Sequence, residues 1–229
     1  MKRLVRLALI SASILLASAA HALSFDALSN QDAAAGLKEA LTQGAGKAVA
    51  QLGTPDGFLG NPQVKIALPE SLQQVEGLMR GLGMGKYADE LVTTMNRAAE
   101  AAVPEAKALL VNAVRQMSVQ DAKAILSGGD DAATQYFRRT TAAPLAAKFK
   151  PIVQKAIAKV KLADKYEAFA GKAAKFGLID ESDAHLDSYV TQKALDGLYL
   201  MIAAEEKAIR QDPVGAAGKL ARKVFGALR

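Results

Sequence analysis

The amino-acid sequence predicts an all-α protein, folded as a single-domain multi-helix bundle. Apolar residues recur at helical spacing along most of the chain, and the alternation typical of strands is nearly absent. The 229-residue chain is rich in alanine, contains no tryptophan and is only 5% aromatic. A chain of about 200 residues buries roughly 70% of its unfolded surface, which suffices for one core. No composition shift or repeat indicates a second domain.

The first 22 residues have the pattern of an export signal. Three basic residues precede the short apolar run LALISASILL, and AHA supplies small residues at the two positions that a signal peptidase reads. The run is too short to span a bilayer core about 30 Å thick. We expect a periplasmic protein cleaved after Ala22, with residues 23–229 as one α-helical domain. The chain has no cysteine, so a lipoprotein anchor is excluded.

Charge and composition exclude several function classes. Removal of the signal lowers the formal charge from +6 to +3, because the signal holds three basic and no acidic residues. That charge is too mild for a nucleic-acid binder. The absence of cysteine excludes disulfides, thiol chemistry and iron–sulfur ligation. Cleavage would leave His185 as the one histidine.

Prolines and glycines divide the first half of the mature chain into helices. We expect a first helix capped by Asn30 and ending near Ala50, followed by an irregular linker at 53–69. Within that linker, VKIAL is a candidate extended piece. Pro69 opens a helix that stops near GLGMG, and KYADELVTTMNRAAEAA forms the next one. Pro104 ends or kinks that helix and begins another.

The second half continues the pattern. Ser118 caps VQDAKAIL, with Asp121 as the partner in a capping box. SGGDDAATQYFRRTT begins a helical run to Lys161, which is punctuated by Pro144 and Pro151. Further helices are expected at 163–176, 183–211 with Asp183 as its cap, and 214–229 after Pro213.

The helix at 183–211 is predicted to be the buried centre of the bundle. Its window ALDGLYLMIAA is apolar in almost every direction, which is typical of a buried helix. Asp196 is the one ionisable residue of the window, and a buried carboxylate must be paired, hydrogen-bonded or protonated. Gly197 costs about 1 kcal/mol relative to alanine. Close approach of another helix would explain this glycine.

The stretch SGGDDAATQYFRRTT contains glycines at a helix start, where a phosphate could bind. Asp130 and Asp131 would repel an anion there, and they suit the positive end of the helix dipole. We therefore interpret them as a cap. Of the two arginines, we hypothesise that Arg138 forms a bidentate pair with Asp196. The alternative is that Arg138 and Arg139 are both surface residues.

Asn96 and Glu100 lie one turn apart in MNRAAE, beside the apolar face of their helix. Together with Asp196 and Arg138 they are our candidates for a buried polar network. The alternative for Asn96 and Glu100 is an ordinary surface pair at i,i+4 spacing.

Other motifs favour structural interpretations. GLGMGK is not a phosphate loop, because Arg80 stands where glycine is needed and Tyr87 where Ser or Thr is needed. It is interpreted as a helix–turn–helix connection. Asp183 and Asp187 lie two residues from His185 and so do not share its helical face. We expect no metal, no cofactor and no catalytic residue.

Two charged features are interpreted as solvated. Glu205 and Glu206 are adjacent, so they do not face each other and a solvated surface is expected. The segment 214–229 is a basic amphipathic helix, of a type that lies on anionic membranes. We expect this helix to dock on the bundle with its charges in water, and membrane-surface association is the alternative.

Several segments together resemble one known family. They are SNQDAAAGLKEALTQGAGKAV, DGFLGNPQVKIALP, MNRAAEAAVPEAK, AILSGGDDAATQYFRRTT, FKPIVQKA, LDSYVTQKALDGLYLMIAAEEKAIRQDP and VFG. The chain resembles the exported bacterial proteins grouped as domain of unknown function 4197, over nearly the whole mature chain. The resemblance implies one α-helical domain in a Gram-negative envelope. It implies no activity, substrate or cofactor.

We expect a non-enzymatic periplasmic protein that binds or scaffolds in the cell envelope. The expected partner is an envelope protein or a small apolar ligand, not a nucleic acid, and no oligomeric state is assigned. One alternative is a hydrolase or lyase, which requires Asp196, Glu100 and Arg138 to converge in a solvent-reachable pocket. The other is membrane-surface association through 214–229.

Overall fold

The computed structural model describes residues 30–83, 85–160, 163, 166, 185–212, 222 and 224. These residues form helices joined by loops, so the predicted all-α class is confirmed. The helices are α1 (Asn30–Leu52), α2 (Glu70–Gly81), α3 (Gly85–Ala102), α4 (Ala106–Gln116), α5 (Val119–Leu126), α6 (Ala132–Ile157) and α7 (Leu186–Gln211), with a 3-10 turn at Val103–Glu105. In this part of the chain, no helix is long and apolar enough to cross a membrane.

The local signals at the helix ends agree with the structure. Pro104 lies in the 3-10 turn between α3 and α4. Ser118 and Asp121 form the predicted capping box: the Asp121 amide donates to the Ser118 hydroxyl, and the Ser118 amide donates to the Asp121 carboxylate, both at 3.0 Å. Pro144 and Pro151 lie inside α6 and do not end it. The GLGMGK segment ends α2 and begins α3, as predicted.

Some sequence predictions fall on other parts of the chain. The helices at 163–176 and 214–229 lie outside the described residues apart from single positions, and so does Asp183. His185 occupies the N-cap position of α7 and makes no side-chain capping bond.

The core forms around α7, which packs against α6, α1 and α3. The predicted apolar stripe of α7 is buried throughout; it consists of Leu186, Val190, Ala194, Leu198 and Ile202. A second stripe at i,i+4 spacing on α6 is buried as well; it consists of Phe137, Thr141, Leu145, Phe149 and Val153. The prediction of a central helix is therefore confirmed.

The prediction that α7 is buried on every side is wrong. The side chain of Asp196 is 44% exposed, and Leu200, one turn later, is 48% exposed. Residues 196, 200 and 203 follow one another at helical spacing. This stripe of α7 faces an open cleft.

The linker at 53–69 folds back over α7. Phe58 is completely buried, and Val64, Ile66 and Leu68 alternate with exposed residues in the manner of a strand. This is the predicted extended piece, although no β-ladder forms in it. A Cβ on Gly197 would lie 2.7 Å from the Phe58 ring. Close approach does explain this glycine, but the linker makes the approach, not another helix.

Gly197→Ala is predicted to lower the free energy of unfolding by about 1–3 kcal/mol, because the added methyl group overlaps the buried ring of Phe58. Gly46→Ala is the matched control, since a Cβ at this α1 position has no atom within 4 Å apart from its chain neighbours and the backbone of its own helix. It is expected to raise stability by about 0.5–1 kcal/mol. Urea unfolding followed by circular dichroism measures both. A Gly197→Ala variant as stable as Gly46→Ala would contradict the packing described.

Candidate functional site

Asn96 of α3 satisfies the backbone of the extended piece. The Ile66 amide donates to Asn96 Oδ1, and Asn96 Nδ2 donates to the Ile66 carbonyl, both at 2.8 Å. Asn96 is completely buried. Its carboxamide therefore takes the place that a neighbouring β-strand would occupy. On the α7 side, the Tyr189 hydroxyl donates to the Ala67 carbonyl at 3.1 Å.

Glu100, one turn after Asn96, holds the start of the linker. The amides of Phe58 and Leu59 both donate to Glu100 Oε1 at 3.0 Å. Arg97 Nη1 donates to Glu100 Oε2 at 2.7 Å, and its Nη2 reaches Asp56 at 2.8 Å. Asp56 has a φ of 66°, in the left-handed region that few residues other than glycine adopt. The ion pair of Asp56 with Arg97 and the hydrogen bonds of Glu100 to the linker amides together fix the turn at residues 56–59.

The predicted polar network is two separate groups. Asn96 and Glu100 are buried as expected, but their partners are backbone groups of the linker. Among the described residues, no hydrogen bond joins either of them to Arg138 or Asp196.

Arg138 and Asp196 do meet, as hypothesised. Arg138 Nη1 donates to Asp196 Oδ1 at 3.2 Å, and Gln192 Nε2 donates to the same oxygen at 3.1 Å. The contact is a single hydrogen bond, not the expected bidentate pair. Each side chain of the pair is 44% exposed, so the expectation of a buried Asp196 is wrong. No helix covers this side of α7, and water reaches the ion pair.

The ring of Tyr199 packs against the guanidinium of Arg138. The Arg138 guanidinium carbon lies 4.7 Å from the centre of the Tyr199 ring, within the range of a cation–π contact. The Thr141 hydroxyl donates its one proton to the Phe137 carbonyl at 2.7 Å. The Tyr199 hydroxyl, 2.9 Å from Thr141 Oγ1, is therefore the donor of that pair. Burial raises the pKa of Tyr199, which keeps the phenol neutral.

Arg138 and Asp196 lie in an open cleft of about 680 Å³. Its walls are linker residues 63–67, the first turns of α6 and the exposed stripe of α7. The charged residues that line it are Lys65, Asp131, Arg138, Lys193 and Asp196. No cluster of His, Cys, Asp or Glu able to hold a metal ion occurs in the part of the chain that the structure describes.

The prediction that Asp130 and Asp131 cap α6 is correct only for the position of Asp131. Asp131 occupies the N-cap position, but its side chain makes no capping bond and instead accepts from Gln135. Glu206 of α7 caps the helix. Its carboxylate accepts from the amides of Ala133 and Thr134 at 3.0 and 2.9 Å, and from the Thr134 hydroxyl at 2.9 Å. These first-turn amides are buried, and Glu206 of α7 is the side chain that accepts from them among the described residues.

Arg210 completes this second buried group. It donates to Glu206 Oε1 through Nε and Nη2 at 3.2 and 2.8 Å, and to the Ile125 carbonyl at 3.0 Å. The carboxylate thus lies at the positive end of α6 and the guanidinium at the negative end of α5. The expectation of a solvated Glu206 is wrong, while Glu205 is half-buried and pairs with Lys47 at 3.5 Å. Glu206 lies four residues after Ile202 and so continues the buried stripe of α7. This spacing is the sequence signal that could have identified Glu206 as buried.

Comparison with known proteins identifies a family over most of the chain. Residues 27–226 match the family described as "Protein of unknown function (DUF4197)". The predicted resemblance is confirmed. No curated protein and no solved structure matches the chain significantly.

Glu206→Gln is predicted to lower the free energy of unfolding by about 3 kcal/mol or more, because it leaves the Arg210 guanidinium without its anion. Glu205→Gln is the matched control at the next position. It removes only a partly exposed ion pair and is expected to cost less than about 1 kcal/mol. Equilibrium urea unfolding compares the two. Equal losses in both variants would show that the Glu206 carboxylate has no special role.

Proposed function

The chain belongs to the DUF4197 family, and we propose that it is a non-enzymatic binding protein of the bacterial cell envelope. The binding site is the cleft between the linker, α6 and α7. One observation supports this most strongly: the Arg138–Asp196 pair is accessible to solvent within a concave site. A purely structural ion pair has no need of such a site.

The dimensions and rigidity of the cleft favour binding. Small-molecule sites have volumes of about 300–1,000 Å³, and a cleft of about 680 Å³ lies within that range. One wall is irregular backbone, but the side chains of Asn96 and Glu100 hold it in one conformation. A preorganised wall lowers the entropic cost of binding.

The arrangement of polar groups favours binding over catalysis. Thr134 lines the cleft, and its hydroxyl donates to Glu206, as a nucleophile would to a general base. Glu206, however, already accepts two backbone amides and the Arg210 guanidinium, so its oxygens are occupied by structural partners. Glu100 caps the linker and does not line the cleft. Of the three groups that a hydrolase or lyase would require, Arg138 and Asp196 meet in the cleft but Glu100 lies outside it.

The partner is proposed to be an envelope protein or a small ligand. Export to the periplasm is proposed from the basic, apolar and small-residue pattern of residues 1–22. We propose no membrane contact through 214–229, because that segment lies almost wholly outside the described residues.

Photo-crosslinking within the native envelope tests this proposal. A benzoylphenylalanine at Leu200, which lines the cleft and is 48% exposed, is expected to give a discrete adduct by mass spectrometry. Val119 on α5 is the matched control, because it is 46% exposed and does not line the cleft. Absence of an adduct at 200, or the same adducts at both positions, would contradict the proposal. Intact mass of the unlabelled protein is expected to show a chain that begins at Leu23.

A further inference from the structure

We infer that the cleft binds an anionic ligand whose carboxylate or phosphate group pairs with Arg138 in competition with Asp196. This inference rests on the proposed function and names the chemical class of its ligand. It differs from the small apolar ligand that is one of the partners expected from the sequence.

The charges of the cleft favour an anion. Lys65 of the linker, Arg138 of α6 and Lys193 of α7 line it together, so cations arrive from three segments. The two acids of the cleft already have partners: Asp131 accepts from Gln135 at 2.9 Å, and Asp196 accepts from Arg138. Neither lysine has an ion-pair partner among the described residues. Three cations against two carboxylates leave the cleft with a net formal charge of +1.

Arg138 is preorganised to bind an oxyacid group. Its guanidinium lies over the buried ring of Tyr199, and the Tyr199–Thr141 hydrogen bond fixes that ring. Only Nη1 has an acceptor among the described residues, so Nε and Nη2 retain free N–H groups. A planar guanidinium stacked on an aromatic ring presents paired N–H groups that match a carboxylate or a phosphate.

Asp196 competes with an external anion for the Arg138 guanidinium. Its single hydrogen bond to Arg138 is half-exposed, and Gln192 retains a bond to the same oxygen when the arginine turns away. A ligand with two oxygens therefore forms two charge-assisted bonds where the protein forms one. Removal of the Asp196 charge is expected to strengthen binding, whereas a merely structural ion pair would not give that result.

Another anion site near the cleft is excluded by the structure. The first-turn amides of α6 are the usual place for a phosphate, but the Glu206 carboxylate already occupies them. An external anion in the cleft therefore binds to its cationic side chains, of which Arg138 is the one that offers paired N–H groups.

Calorimetric titration of the full mature chain at low ionic strength tests the inference. The probes are citrate, inorganic phosphate and a short peptide of glutamates, which separate small carboxylates, phosphate and an acidic polypeptide as ligand sources. At least one probe is expected to bind saturably, and its affinity is expected to fall as salt is added. No saturable binding of any of the three would overturn the inference.

Three variants make the test specific to the site. Arg138→Ala is expected to weaken binding about tenfold or more. Arg139→Ala is the matched control, because the Arg139 side chain is 67% exposed and its Nη2 lies 3.9 Å from Asp121 Oδ1, on another side of α6. The affinity of this variant for the probe is expected to change less than about twofold. Asp196→Asn is expected to bind about three- to fivefold more tightly. Equal effects of the two arginine variants, or an Asp196→Asn variant that binds no more tightly, would overturn the inference.

The two proposals fail in distinguishable ways. If Leu200 forms a crosslink in the envelope but no anionic probe binds, the cleft is a binding site for another class of ligand and only the anion inference is wrong. If neither is observed, both proposals are wrong. Unfolding curves of the Arg138 and Arg139 variants that match the parent confirm that any loss of binding reflects the site and not the fold.

Discussion

Two buried side chains of α3, Asn96 and Glu100, satisfy backbone groups of the linker that would otherwise have no partner. An unsatisfied buried backbone group costs about 1–3 kcal/mol, so an irregular segment cannot pack into a core without such partners. With them, the linker lies against α7 at Gly197 and forms one wall of the cleft. The position of the candidate site therefore depends on two helical side chains that do not line it.

The same principle operates at the other end of α7. Glu206 and Arg210 satisfy the first amides of α6 and a carbonyl at the end of α5, and they neutralise each other in the process. The buried side chains of Asn96, Glu100 and Glu206 thus complete the backbone of neighbouring segments. The Arg138–Asp196 pair is different, because it is half-exposed and bonds side chain to side chain. This contrast separates the structural polar groups from the one that is available to a ligand.

Sequence reasoning identified most helices, the central stripe of α7 and the contact of Arg138 with Asp196, because periodicity, prolines and unpaired charges report on these directly. It placed Asp196 in the core because an apolar window does not reveal which side of a helix a loop leaves open. The partners of Asn96 and Glu100 lie 30 and 42 residues earlier and are backbone groups, which carry no residue-type signature. Glu206 is adjacent to Glu205, which suggests a solvated pair, but its i,i+4 spacing from Ile202 places it in the buried stripe of α7.

Residue-resolved hydrogen exchange of the wild-type protein tests the central claim most directly. If α3 holds the linker, the amides of Phe58, Leu59 and Ile66 are protected as strongly as core amides of α7, although they lie in irregular chain. The amide of Gln63 is the internal reference, because its bond to the Asn61 side chain is exposed and it should exchange quickly. Exchange of the three amides as fast as Gln63 would contradict the account.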